Sequence, residues 1–103
     1  MALPSTERVV SETIEMTAII TAIDGKADMM EQALQILEEK TNGEDGCIEF
    51  KIFRSNGNPN RFILWEVFSN EDALNLHLAK DYTVEYFGLG LGQSTEVIRH
   101  TKI

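Results

Sequence analysis

The chain has 103 residues, 43% hydrophobic and 25% charged, the ordinary make-up of one globular domain with a modest core. Its 17 acidic residues against 9 basic ones give a formal charge of −8, which works against nonspecific binding to nucleic acid and to anionic membranes. Cys47 is the only cysteine, which excludes an intrachain disulfide and a thiolate metal site.

No apolar run approaches the ~20 residues that a membrane helix needs. Residues 1–13 hold Pro4 and many polar groups, with only Val9 and Val10 to dock, and read as a loosely held leader. They lack a basic region followed by an apolar core, so no secretory signal is expected and cytoplasmic residence is. Residues 14–103 read as a single domain.

From Ile14 to Ile23 near-alternation of β-branched residues predicts a strand, ended by Asp24-Gly25. Lys26 to Thr41 follows with Met30, Ala33, Leu34 and Leu37 at helical spacing and Asp28, Glu31, Gln35, Glu38 and Glu39 on the wet side. Asn42-Gly43 is expected to stop this helix, with glycine taking a left-handed turn. Cys47–Arg54 and Arg61–Phe68 predict a hairpin around the turn cluster Ser55-Asn-Gly-Asn-Pro-Asn60, where Pro59 cannot donate to a ladder. Ser69 with Asp72 three residues on resembles a capping box and opens a helix through Lys80. Another helical segment covers about Tyr82 to Phe87. Gly88-Leu-Gly-Leu-Gly92 breaks it, and Thr95 to Ile103 alternates as a last strand. That glycine run follows a helix, so it lacks the strand-to-helix setting of a dinucleotide loop.

The order βαββαβ predicts an α+β, ferredoxin-like domain: a four-stranded antiparallel sheet with helices on one face. In the third strand Phe62, Leu64 and Phe68 point one way, and Ile63, Trp65 and Val67 the other. In the first, Met16, Ala18 and Ile20 oppose Ile19 and Ile23. A solvated second face would alternate to polar residues. This one is apolar, so a second copy of the chain is expected to cover it as a homodimer.

The run Glu44-Asp-Gly46 opening a strand, Arg61-Phe62 and Trp65-Glu66 along the next, Glu71-x-Ala73-Leu74, His77-Leu78-Ala79 and then Phe87 resembles the antibiotic biosynthesis monooxygenase family. The likeness extends over roughly Ile14 to Thr101. It implies a dimeric α/β barrel, no cofactor, and a pocket between sheet and helices lined by His77. Where the family often carries a second histidine five residues further on, this chain has Tyr82. Haem degradation, another activity of the superfamily, uses an Asn, a Trp and an axial His. The corresponding places here look like Ala18 or Ile19, Phe68 and Tyr82, and none matches.

His77 sits one turn after Ala73-Leu74, beside Leu76 and Leu78. It is either a satisfied helix histidine or a general base, a task suited to imidazole because it titrates near neutral pH. Tyr82 is read as an oxyanion donor or a packing residue. Glu66, between Leu64 and Phe68 on one strand face, needs a partner if buried, either in a structural ion pair or in orienting substrate or His77. Phe50, Phe62, Leu64, Phe68 and Tyr86 are the expected apolar walls. Trp65 falls on the opposite face by parity. Arg54, Arg61 and Arg99 read as solvated or ion-paired, Cys47 as a small packed hydrophobe. His77 and His100 lack paired metal-ligand spacing, so no metal is expected.

The leading reading is a cofactor-independent monooxygenase of a small phenolic or quinol-like substrate. Such a ring carries its own electrons: deprotonated, it can reduce O₂ directly. Transfer from an ordinary phenol to an ordinary imidazole is uphill by roughly 4–5 kcal/mol, which fixed donors around the anion must offset. An isomerase using the same base on a small carbonyl or sugar-derived metabolite, and a small-ligand-binding dimer without catalysis, are the alternatives.

Overall fold

Why the first strand forms is visible in its side chains: along Ile14–Ala22 (β1), Met16, Ala18, Ile20 and Ala22 are buried and their neighbours are not, the period-two pattern of a pleated ribbon. The architecture comes from a computed structural model that describes residues 13–103, so the expected leader, Thr13 apart, lies outside the described residues. Helix α1, Ala27–Thr41, buries Ala27, Met30, Leu34, Leu37 and Thr41, at intervals of three and four that keep one face on the sheet. Then come β2 (Cys47–Arg54), β3 (Arg61–Phe68), α2 (Glu71–Leu78), α3 (Asp81–Gly88) and β4 (Gly92–Arg99). All strand pairs are antiparallel in the order β2-β3-β1-β4, giving the ferredoxin-like α+β fold.

The core lies between helices and sheet. Met16, Ala18 and Ile20 of β1, Phe62, Leu64 and Phe68 of β3, and Phe50 of β2 meet Met30, Leu34 and Leu37 of α1 and Leu74 of α2. Each fully buried Leu, Met or Phe contributes about 1.5–3 kcal/mol over exposure. On β3 the buried row is Phe62, Leu64, Glu66 and Phe68, so one carboxyl interrupts an apolar line. The alternate row, Ile63, Trp65 and Val67, faces away from the helices beside Ile19 of β1, Phe53 of β2 and Ile98 of β4. Phe53 is 50% and Ile98 44% exposed, so this second face presents large apolar side chains to solvent in the single chain. Trp65 stands there as its parity predicts, its indole N–H donating to Glu15 Oε2 at 2.8 Å.

Beyond shifts of one or two residues at the ends of other elements, three expected details differ. Positive φ occurs, among the described residues, only at Gly25 and Gly90, so Gly43 makes no left-handed turn. The Asn42 side chain closes α1 instead, donating to the carbonyls of Glu38 at 2.9 Å and Phe50 at 3.0 Å, which ties the helix end to β2. Asn70, not Ser69, caps α2, its Oδ1 accepting from the Ala73 amide at 2.8 Å. The last strand starts at Gly92 and ends at Arg99, because main-chain pairing from Ala22↔Gly92 to Met16↔Arg99 does not require apolar side chains. Every residue of β4 is exposed, so the helix layer leaves that edge of the sheet uncovered.

Gly46 sits where the loop before β2 meets α2. Its carbonyl accepts from the Ser69 amide at 2.9 Å, and a Cβ added to it would overlap the Cβ of Ala73. Gly46→Ala is therefore expected to cost about 1–3 kcal/mol as the helix is forced outward. Urea unfolding checks this; an unchanged midpoint would mean that α2 shifts freely.

Candidate active site

The Asn70 cap starts α2 so that Leu74 and His77, three residues apart, share its inward face. His77 is only 3% exposed. Its ring lies between Phe50 and Phe68, with centroids 5.7 and 5.0 Å away. Its Nδ1 stands 3.0 Å from Oε2 of Glu44, in the loop between α1 and β2. The Tyr82 hydroxyl, from the second residue of α3, donates to that same oxygen. A carboxylate only accepts, so in the neutral imidazole Nδ1 carries the ring proton and Nε2 the lone pair. The imidazole is thus held in one tautomer by a buried carboxylate that is itself held by a phenol.

His77 forms part of the wall of a cavity of about 100 Å³ between sheet and helices. Most of that wall is carbon: Met16, Ala18 and Ile20 of β1, Phe50 of β2 and Leu64 of β3, with Phe87 and Val97 towards the uncovered β4 edge. Polar groups are few, and three of them are buried: His77, Glu66 and Thr83. Glu44 and Tyr82 lie outside it, behind the imidazole.

Glu66 is 6% exposed, and no hydrogen bond or ion pair joins it to another described residue. Burial alone pushes its carboxyl up to about 7. The ion pair expected for it is not formed among the described residues: Arg54 reaches Asp28 and Glu31, Arg99 reaches Glu71, and His77 bonds Glu44. Burial, and then the bond to Glu44, hold the Tyr82 phenol far above its usual range, so it stays a donor to Glu44 and its hydroxyl is not turned to the cavity. Tyr86 does line the cavity, its phenol pushed up to about 12 by burial.

Of the expected apolar walls, Phe50 and Leu64 border the cavity. Phe68 acts from behind by stacking on His77. Phe62 lies elsewhere, beneath the Arg54 guanidinium at 5.2 Å. Burial, then Glu44, raise the Cys47 thiol to about 11, so it remains protonated. Two residues were given no site role by the sequence. Glu44 stood in a motif, but its partner is 33 positions away. Thr83 is 1% exposed with a hydroxyl that bonds no other described residue, and a lone threonine between Tyr82 and Val84 carries no sequence signal.

Among the described residues no helix is long and apolar enough to cross a membrane. Residues 13–87 match the antibiotic biosynthesis monooxygenase family. The uncharacterized protein YjcS of Bacillus subtilis strain 168 is 39% identical over 49 residues, which is 48% of this chain and 47% of that protein, so the match spans about half of either. The crystal structure of PA3566 from Pseudomonas aeruginosa superposes with a TM-score of 0.85 at 21% identity, covering 90% of this chain and 96% of that one. A crystal structure described as an antibiotic biosynthesis monooxygenase gives 0.82 at 20% identity over 87% and 98%. SO0527 of Shewanella oneidensis gives 0.81 at 29% identity over 87% and 90%.

Proposed function

Because the chain belongs to the antibiotic biosynthesis monooxygenase family, we propose that it is a cofactor-independent monooxygenase of a small phenolic or quinol-like substrate, with His77 as general base. The observation that carries this reading is the buried imidazole, bonded at Nδ1 to Glu44 and bordering a largely apolar cavity. A histidine that merely filled the core would not need a largely apolar hollow beside it.

In this mechanism Nε2 takes the ring hydroxyl's proton. Glu44 stabilises the imidazolium, as a carboxylate behind a catalytic histidine does, and so offsets part of the uphill transfer. The Phe50, Leu64 and Met16 walls exclude water, which strengthens every electrostatic term inside. The ring anion gives one electron to O₂. Ring radical and superoxide then join in a carbon–oxygen bond, and the resulting peroxide takes the proton back from His77. Loss of water leaves a carbonyl at the attacked carbon, so a phenol plus O₂ yields a quinone plus one water, and a quinol plus O₂ yields a hydroxyquinone plus one water.

The test is oxygen uptake with a panel of quinols and phenols, where one O₂ should disappear per ring oxidised. Turnover of a carbonyl substrate without uptake would instead identify an isomerase using the same base. Binding of small rings with no turnover of any of them would identify a binder.

The same reading includes a homodimer formed through the open sheet face. Ile19, Phe53, Ile63, Trp65, Val67 and Ile98 lie together there, an apolar surface that a monomer would leave in water. Sedimentation at micromolar concentration is expected to give twice the mass of the 11.6 kDa chain. Trp65→Glu, which puts a charge amid these side chains, should shift it to monomer; a stable wild-type monomer would remove the dimer from the proposal.

A further inference from the structure

The cavity beside His77 holds about 100 Å³, less than the ~150 Å³ of a buried cavity known to accept benzene. A ring therefore enters only if part of the wall gives way. A larger hollow, a surface groove of about 180 Å³, lies between α1 and α3. Ala33, Ile36 and Leu89 give it carbon walls, with Lys40 and Glu85 as its charged residues. Leu37 and Tyr86 line both hollows, so these two side chains form the partition between them.

Leu37 is 5% exposed and belongs to the core, which fixes its half of the partition. Tyr86 is held less firmly. It stands one turn after Tyr82, so both project from the same side of α3. The Tyr82 hydroxyl is tethered to Glu44, whereas that of Tyr86 has no partner among the described residues, and burial alone raises its phenol. Turning the Tyr86 ring outward gives up apolar contact but breaks no hydrogen bond. The cavity has another way out, between Phe87 and Val97, but these are 61% and 55% exposed, so a chain leaving there meets solvent. A chain that passes Tyr86 stays against carbon.

We propose that Tyr86 is a gate between cavity and groove, and that the groove is a second subsite for an apolar chain carried by the substrate's ring. This rests on the reading of His77 as the base that takes the ring hydroxyl's proton. The substrate class is then a phenolic ring with an apolar chain of about three carbons or more. Each carbon buried in the groove adds about threefold to fourfold in affinity.

The test is calorimetric binding of phenol, meta-propylphenol and para-propylphenol to the full chain under nitrogen. At least one propylphenol is expected to bind about 20-fold or more tightly than phenol. Ile36→Glu, which puts a charge in the groove, should cut that ratio to about fivefold or less. Val97→Glu, at the other opening, should keep most of it. Equal affinity for all three rings, no binding of any, a ratio that survives Ile36→Glu, or one lost in Val97→Glu overturns the subsite. The gate has its own measurement, the association rate of para-fluorophenol from fluorine NMR line shapes. Tyr86→Ala should raise that rate about tenfold, and Tyr86→Phe, which loses only an untethered hydroxyl, should match the wild type. An unchanged rate in Tyr86→Ala, or an altered one in Tyr86→Phe, overturns the gate. No oxygen is consumed in these measurements, so the two claims fail separately. Chain-dependent binding without oxygen uptake would sink the monooxygenase and leave the groove standing; uptake with binding indifferent to the chain would do the reverse.

Discussion

Replacing His77 with glutamine lowers kcat by about 100-fold or more on any substrate that the oxygen-uptake panel identifies, with the fold retained. Glutamine is the sharper variant because its amide can still donate to Glu44 and fill much of the space between Phe50 and Phe68, while offering no base. His77→Ala should lose a similar factor in rate and also some stability, since it empties the space between two rings. If Glu44 works only through the imidazole, Glu44→Gln lowers kcat on its own but adds little in the His77→Gln background. Kinetics in His77→Gln that match the wild type, with an unchanged melting temperature, would leave the histidine a packing residue.

Glu66 gives the second large effect, and it concerns stability. Its folded carboxyl titrates near 7 against an ordinary value of 4.5, so between these limits the folded chain holds a proton that the unfolded chain has released. Stability associated with this group is complete below pH 4.5 and is lost as pH rises through about 7. The span corresponds to about 3 kcal/mol. Glu66→Gln is neutral at every pH and escapes this loss. Urea titrations should show variant and wild type alike near pH 4.5 and the variant more stable by up to about 3 kcal/mol at pH 8. A difference that stays flat across that range would mean that the carboxylate is solvated or paired after all. Ligand-free protein is needed, because a bound ring would supply the partner that the carboxyl otherwise lacks.

How much of this was legible beforehand varies with the physics involved. Strand parity in β1 and β3 was open to reading because a period of two needs only a few β-branched residues to declare itself, and it placed Glu66 inward and Trp65 outward. The α1 face was equally plain from Met30, Leu34 and Leu37. His77 stood out as a titratable ring among leucines. Closer detail was not available. Ser69 and Asn70 are both good caps, and only the backbone decides between them. Gly43 next to Asn42 suggested a left-handed turn, whereas the amide of Asn42 had two carbonyls within reach. The bond from Glu44 to His77 joins a loop to a helix 33 residues later, and no local pattern encodes it. Thr83 is buried beside the cavity with no hydrogen-bond partner among the described residues, which only three-dimensional packing can disclose.

The loop from Asn42 to Gly46 is pinned at both ends, by the Asn42 amide on the Phe50 carbonyl and by Gly46 against α2, and between these anchors it carries the carboxylate that orients the imidazole. Tolerance to changes in chain length should therefore be lopsided. The hairpin tip at 55–60 can grow without disturbing the base, but one residue added between 42 and 46 would unseat an anchor and Glu44 together. Over evolutionary time this short connection is where indels should be purged, while the opposite end of the molecule drifts.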